Sequence, residues 1–120
     1  MSETLKQTTG RVAWFELPAE DVQRSQAFYS GLFGWRFEPF GGDDYHITYE
    51  AGGAIFASDE QKMPNLYFGT DDIDAAIARV RELGGEAGER QDIPNDFGSF
   101  AHCRDTEGNA FSLYQAASSG

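Results

Sequence analysis

The stretch Asp21–Gly34, DVQRSQAFYSGLFG, decides the fold of this chain. Asp21 is a predicted helix N-cap, because its carboxylate accepts hydrogen bonds from unpaired backbone N–H groups of the first turn. Gly34 supplies the left-handed residue at which such helices commonly end. Between these two residues an apolar stripe recurs at helical spacing and predicts an amphipathic helix; its members are Val22, Phe28, Tyr29, Leu32 and Phe33.

A second stretch, Asp72–Gly85 or DIDAAIARVRELGG, repeats this design 51 residues later. That offset pairs Leu32 with Leu83 and Gly34 with Gly85. Each helix follows a strand-like run and precedes several others, which predicts an α+β fold of two βαβββ modules that share a mixed sheet. A chance match between two amphipathic helices is the alternative to duplication.

Composition limits the classes of function. The chain has 120 residues, enough for one domain, and a net charge of −11, which disfavours nucleic acid and anionic membranes as partners. Cys103 is the sole cysteine, so an intrachain disulfide is impossible. No apolar run is long enough to span a bilayer, and residues 1–10 lack the apolar centre of a signal peptide. We therefore expect a cytoplasmic protein.

Turn-forming and polar stretches predict the domain organisation. Residues 1–10 form a flexible lead-in, residues 11–115 form a single domain, and residues 116–120 form a tail. Within the domain, module one covers 11–58, a linker covers 59–64 and module two covers 65–115.

Several motifs resemble the vicinal oxygen chelate superfamily, which groups glyoxalase I, bleomycin-resistance proteins and extradiol dioxygenases. They are PAEDVQRSQAFYSGLFGWRFE at 18–38, DDIDAA at 71–76, LGG at 83–85 and RDTEGN at 104–109. This resemblance implies that the two modules curl their sheet into a half-barrel around a ligand cavity, with the helices outside. It also implies a homodimer.

Enzymes of this superfamily usually hold a divalent metal at four strand positions. Carried over to this chain, those positions are Trp14, Ala57, Asn65 and Ser112, whose side chains are poor ligands for a transition metal. We therefore expect neither a metal nor another cofactor. The alternative is a displaced site built from Glu16 and the two histidines, His46 and His102.

Strand alternation predicts which residues line the cavity. If the family's metal positions face inward, their neighbours two residues away do so as well. The predicted ligand-binding residues are Trp14, Glu16, Asn65, Tyr67, Ser112 and Tyr114. This mixture of aromatic and polar groups is typical of a small-molecule pocket, although the rings could instead fill a second core. Because an enclosed carboxylate needs partners, Glu16 is expected to pair with Arg11 or Arg36, or to lie at an open rim.

Three functions remain open at this point. The first is a metal-independent protein that captures an aromatic or amphiphilic small molecule. The second is a lyase- or dioxygenase-like enzyme, with Glu16 and His102 as candidate catalytic residues or with a relocated metal. The third is a dimeric interaction module with a vestigial cavity.

Overall fold

The computed structural model describes residues 9–117. Within this range the chain has two helices, nine strands and one 3₁₀ turn, and their order confirms the predicted α+β class. Three strands follow α1, as in a βαβββ module, and four strands follow α2. Most of the predicted lead-in and tail lies outside the described residues. In chain order the elements are β1 Val12–Ala19, α1 Val22–Phe33, β2 Glu38–Pro39, β3 Tyr45–Thr48, β4 Gly53–Ala57, β5 Asn65–Gly69, α2 Ile73–Glu82, β6 Glu86–Ala87, β7 Gln91–Ile93, the 3₁₀ turn Pro94–Asp96, β8 Gly98–Arg104 and β9 Ala110–Gln115.

The chain divides into two compact units, one of residues 14–65 and one of residues 66–117 together with 9–13. In the first unit the strands lie in the order β2-β3-β4-β1, with β1 parallel to β4 and the other pairs antiparallel. In the second unit the order is β5-β9-β8-β6, and β7 also pairs with β8. There β5 is parallel to β9. The module bounds proposed from the sequence stay predictions.

Helix α1 begins and ends where its sequence signals lie. The Asp21 side chain accepts a hydrogen bond from the backbone N–H of Arg24, at 3.0 Å. Gly34 has a φ of 76°, a left-handed conformation that costs glycine little, and its N–H donates to the Ser30 carbonyl at 2.8 Å. Both predicted caps of this helix are therefore confirmed.

The sequence predicts one strand at 11–17, ended by Pro18, and another at 35–40, and both bounds were wrong. Strand β1 does not stop before Pro18, since the ladder with β4 continues to the pair of Ala19 and Ala57. A proline fits a strand wherever the ladder does not need its missing N–H. The strand predicted from Trp35 shrinks to Glu38–Pro39, and the Trp35 ring instead stacks on Tyr29, with the ring centroids 5.3 Å apart.

The second unit has its core between α2 and one face of β8 and β9. This core consists of Ile73, Ile77, Ala101, Cys103 and Leu113, with Phe111 packed against it. The face of β9 that carries Phe111 and Leu113 therefore packs under α2. Burial raises the pKa of the Cys103 thiol, which suits a packing role rather than a reactive one.

In the first unit, α1 leaves much of its apolar stripe exposed. Ile55 is fully buried on β4, whereas no residue of α1 is buried. Leu32 and Phe33 are each 58% exposed, although they belong to the stripe predicted from the sequence. Neither α1 nor α2, the helices of the described range, is long and apolar enough to cross a membrane.

We expect Gly98→Ala to destabilise the protein by more than about 2 kcal/mol. Gly98 has a φ of 109°, and a Cβ there would overlap the backbone carbonyl oxygen of Gln115 on the paired strand β9. Backbone atoms in a ladder cannot move away cheaply. Urea unfolding of the two proteins measures the difference.

Gly31→Ala is the matched control for this prediction. Gly31 lies within α1, and a Cβ there would meet nothing within 4 Å. Because alanine favours helix, this change should stabilise the protein by about 0.5–1 kcal/mol. Equal losses of stability in both variants would contradict our account of Gly98.

Candidate functional site

The first unit contains a cluster of polar side chains on one face of its strands. Trp14 and Glu16 lie two residues apart on β1 and therefore share one face. The register pairs Glu16 with Ala54 on β4, and it pairs Ala54 with Ile47 on β3. Tyr45, two residues before Ile47, therefore shares the face of Glu16. Because Ala54 has only a methyl group, long side chains from β1 and β3 can meet across β4.

The hydrogen bonds of this cluster converge on the Glu16 carboxylate. The Tyr45 hydroxyl donates to Glu16 Oε2 at 2.7 Å and accepts from Trp14 Nε1 at 2.9 Å. Asn65 Nδ2 donates to Glu16 Oε1 at 2.9 Å, and its own Oδ1 accepts from Gln61 Nε2 at 2.6 Å. Each carboxylate oxygen thus receives a neutral donor, and bonds of this charge-assisted kind are short and strong.

Three of the residues predicted from the sequence are brought together here, namely Trp14, Glu16 and Asn65. Tyr45 and Gln61 were missed. The alternation of side chains along β3 divides this strand into two faces, one of which carries Tyr45. Which face is shared with Glu16 depends on the strand register, and the register is set by residues far apart in the chain. Gln61 lies in the predicted linker, where no periodic pattern marks it.

Arg36, one of the two arginines expected beside Glu16, is engaged elsewhere. Arg36 Nε binds Glu50 Oε2 at 2.9 Å, and the Arg36 backbone N–H binds Glu50 Oε1 at the same distance. These bonds lower the pKa of the Glu50 carboxyl. Tyr45 and Asn65 donate neutral hydrogen bonds to the Glu16 carboxylate, and Arg36 does not.

The second unit places the remaining predicted residues on one face of its sheet. Tyr67 on β5 pairs with Ser112 on β9, and Ser112 pairs with His102 on β8. His102 Nδ1 lies 2.8 Å from Ser112 Oγ, and the Phe100 ring meets the imidazole edge-on with centroids 5.2 Å apart. His102 is exposed, whereas Ser112 is only 3% exposed. The register thus places His102 on the face that also carries Ser112 and Tyr67.

Tyr114 lies on the same face but uses its hydroxyl within the chain. Its Oη donates to the backbone carbonyl of Phe97 at 2.6 Å, beside the 3₁₀ turn. Burial raises the pKa of this phenol. In this structure the hydroxyl anchors the loop before β8.

The strand register changes the assignment of one of the four positions at which the resembled family holds its metal. Tyr67 is the repeat mate of Glu16, and their partners on the parallel strands are Ser112 and Ala54. Ala54 is therefore the counterpart of Ser112, whereas Ala57 pairs with Ala19 on the opposite face from Glu16. Both residues offer only a methyl group, so the donor chemistry of the position is unchanged.

The side chains at these positions do not fit the metal of the resembled family. The Trp14 N–H is bonded to Tyr45, both ends of the Asn65 amide are bonded, and the Ser112 hydroxyl is bonded to His102. His46 pairs with Ile55 and so faces away from Glu16, which separates two members of the displaced site. Among residues 9–117, no three His, Cys, Asp or Glu side chains lie close enough to hold a metal ion.

Comparison with known families gives a match over most of the chain. The sequence model of the Glyoxalase-like domain family matches residues 14–114. A solved structure from Vibrio splendidus, described as a glyoxalase/bleomycin resistance protein/dioxygenase superfamily member, aligns with a TM-score of 0.64 at 19% identity. That alignment covers 89% of this chain and 99% of the other chain, and it confirms the fold implied by the resemblance.

Two curated proteins show similarity in sequence. A glyoxylase-like domain-containing protein of Didymella fabae is 31% identical, over 87% of this chain and 92% of its own length. The anthracycline biosynthesis protein DnrV of Streptomyces peucetius is also 31% identical, over 88% of this chain but 47% of its own length. The chain therefore spans about half the length of several curated proteins that it matches.

We expect Tyr45→Phe to lower the free energy of unfolding by about 1–3 kcal/mol, because the Trp14 N–H and the Glu16 carboxylate each lose a partner. Urea unfolding measures this loss. Tyr49→Phe is the control, since the Tyr49 side chain is 66% exposed and its hydroxyl has no partner among the described residues. A loss in the Tyr45 variant no larger than in the control would show that the cluster adds nothing to stability.

We expect alkaline pH to destabilise the protein through Tyr114. Its folded-state pKa is raised above the ordinary 10.0, so the folded chain holds the phenolic proton more tightly than the unfolded chain. Stability should fall as the pH rises above 10 and be unaffected by this group at neutral pH. Unfolding free energies on both sides of pH 10 measure the slope, which should be shallower in Tyr114→Phe than in the wild type. An unchanged slope would contradict the assignment.

Proposed function

Because the chain belongs to the Glyoxalase-like domain family, we propose that it is a small-molecule-binding protein that captures an aromatic or amphiphilic ligand without a metal. The observation that carries this proposal is the hydrogen-bonded cluster of Trp14, Tyr45, Glu16 and Asn65. The family supports the fold, and the ligand class is argued from the side chains of this chain.

The cluster joins ring surface to oriented polar groups. The indole of Trp14 is held by its N–H, so its flat face has a fixed orientation. Tyr45 adds a second ring. The Glu16 carboxylate accepts one hydrogen bond from Tyr45 and another from Asn65, so it connects the two halves of the cluster. Flat apolar area next to a few fixed polar groups is the usual composition of a small-molecule site.

Tyr67, Ser112 and Tyr114 are proposed as ligand contacts of the second module. Tyr67 and Phe100 form an edge-to-face pair on the face that also carries His102, with ring centroids 6.2 Å apart. This face repeats the combination of aromatic and polar side chains seen around Glu16.

Metal independence is supported by the donor set. The family positions carry an indole, an amide and a hydroxyl that are already bonded within the protein, and the fourth carries a methyl group. A divalent ion would have to break these bonds to gain neutral oxygen ligands, which transition metals bind weakly. We assign no step to a metal.

A second candidate function is an enzyme that uses His102 for proton transfer. The observation that favours it is the oriented, exposed imidazole, with Nδ1 at 2.8 Å from Ser112 Oγ. An oriented, exposed imidazole can act as a general acid or a general base. Glu16 is the other candidate catalytic residue, because its carboxylate is held in a fixed orientation.

The proposal includes a homodimer without nucleic-acid or membrane partners, in the cytoplasm. The apolar side chains that α1 leaves exposed, such as Leu32 and Phe33, would favour self-association. The negative charge of −11 supports the exclusion of phosphate-rich partners.

A thermal-shift screen of aromatic and amphiphilic compounds tests ligand capture. A true ligand at 100 times its Kd should stabilise the fold by about 2.7 kcal/mol. For the compound that raises the Tm most, Trp14→Ala should weaken binding at least about tenfold, which is about 1.4 kcal/mol. Tyr49→Phe, which alters an exposed ring, should bind normally.

Metal analysis of protein purified without chelators separates the alternatives. Our proposal expects no stoichiometric divalent ion and no effect of EDTA on ligand affinity. A bound ion that is lost in His46→Ala or His102→Ala would contradict metal independence and favour the enzyme. A broad screen in which no compound raises the Tm would instead favour a dimeric module with a vestigial cavity.

A further inference from the structure

The first unit has a groove beside α1 that nothing above assigns to a function. It measures about 610 Å³ and lies between the end of β1, the start of α1 and the segment after β4. This volume is within the usual range for small-molecule sites. The side chains that carry our argument are Glu20, Asp21, Arg24, Phe28, Tyr29 and Lys62.

One wall of the groove is an aromatic corner. Phe28 is 60% exposed and meets Tyr29 edge-to-face, with centroids 5.0 Å apart and an interplanar angle of 89°. Tyr29 in turn stacks on Trp35 at 14°. The aromatic corner is therefore supported by packed rings. Its exposed apolar surface is hydrated unfavourably, which favours contact with an apolar ligand.

The acidic groups of the groove are already engaged. Glu20 accepts from Lys62 Nζ at 2.7 Å, and this bond lowers the pKa of the Glu20 carboxyl. Asp21 Oδ1 accepts the backbone N–H of Arg24 as the cap of α1. Both carboxylates thus have partners, and Lys62 is neutralised by one of them.

Arg24 is the exception among the basic groups of the groove. Its guanidinium has no partner among residues 9–117, where Arg11 alone shares that property. The other lysine and arginines of this range bind carboxylates or backbone carbonyls. An unpaired guanidinium beside an exposed ring suits a planar anion, because its fork of N–H donors matches a carboxylate.

We propose that this groove binds an aromatic carboxylate, with the ring against Phe28 and the carboxylate on the Arg24 guanidinium. The groove shares Gln61 with the cluster around Glu16, but Arg24 and Phe28 lie outside that cluster, so the proposal does not depend on the proposed function of the cluster. The anion is selected locally by Arg24, even though the chain as a whole is acidic.

Calorimetric titration with 2-naphthoate tests this proposal, with 2-naphthylmethanol as the uncharged ligand of the same ring system. We expect 2-naphthoate to bind at least about tenfold more tightly than the alcohol, since a hydrogen bond to a charged group contributes roughly 1.5–3 kcal/mol. Arg24→Gln should remove this preference, and Phe28→Ala should weaken both ligands. Arg11→Gln is the matched control, because Arg11 is also unpaired but does not line the groove.

Amide chemical-shift mapping separates this site from the Glu16 cluster. With 2-naphthoate, shifts should concentrate in residues 20–29 and 58–62 and persist in Glu16→Gln. Three results would overturn the proposal: no binding of 2-naphthoate, equal affinity for the alcohol, or equal losses in Arg24→Gln and Arg11→Gln. The two proposals fail separately, because binding in the groove should be lost in Arg24→Gln and kept in Trp14→Ala, whereas binding at the Glu16 cluster should be lost in Trp14→Ala and kept in Arg24→Gln.

Discussion

The alternation of side chains along paired strands is the constraint on which this structure depends. In the second unit, Leu113 and Ala101 pair on the face that packs under α2, while Ser112 and His102 pair on the other face. A shift by one residue would bury the imidazole and expose the leucine, so the apolar core enforces the register. The packing of this core therefore fixes the positions of the candidate site residues, although those residues are not part of the core.

In the first unit the same constraint brings one carboxylate into contact with neutral donors. Placing a carboxylate at a half-buried position is costly unless its oxygens accept hydrogen bonds. Tyr45 and Asn65 meet that need, and Trp14 and Gln61 in turn fix their orientations. The ion pairs, such as Lys62 with Glu20, lie on exposed surface, where water screens them. The Glu16 cluster is therefore better suited than those pairs to specify one arrangement of side chains.

The two helices show how a repeated sequence design leads to different packing. Helix α2 buries Ile73 and Ile77 against its strands, whereas α1 has no buried residue and leaves Phe28 on a groove. In α1 the aromatic side chains pack against one another and against Trp35 rather than into an aliphatic core. A stripe of large rings cannot all reach the sheet, so part of its area stays at the surface.

The sequence by itself determined the two helices, both caps of α1, the N-cap of α2 and the division of each strand into two faces. These signals are local, because caps depend on a few neighbouring residues and alternation on every second one. The sequence also identified Trp14, Glu16 and Asn65 as site residues, and in the structure they belong to one hydrogen-bonded cluster. Only the tertiary structure decided that Tyr45 and Gln61 complete the cluster, that His102 meets Ser112, and that Ala54 rather than Ala57 lies beside Glu16. Those facts depend on which strands pair and in which register, and pairing is set by contacts between residues far apart in the chain.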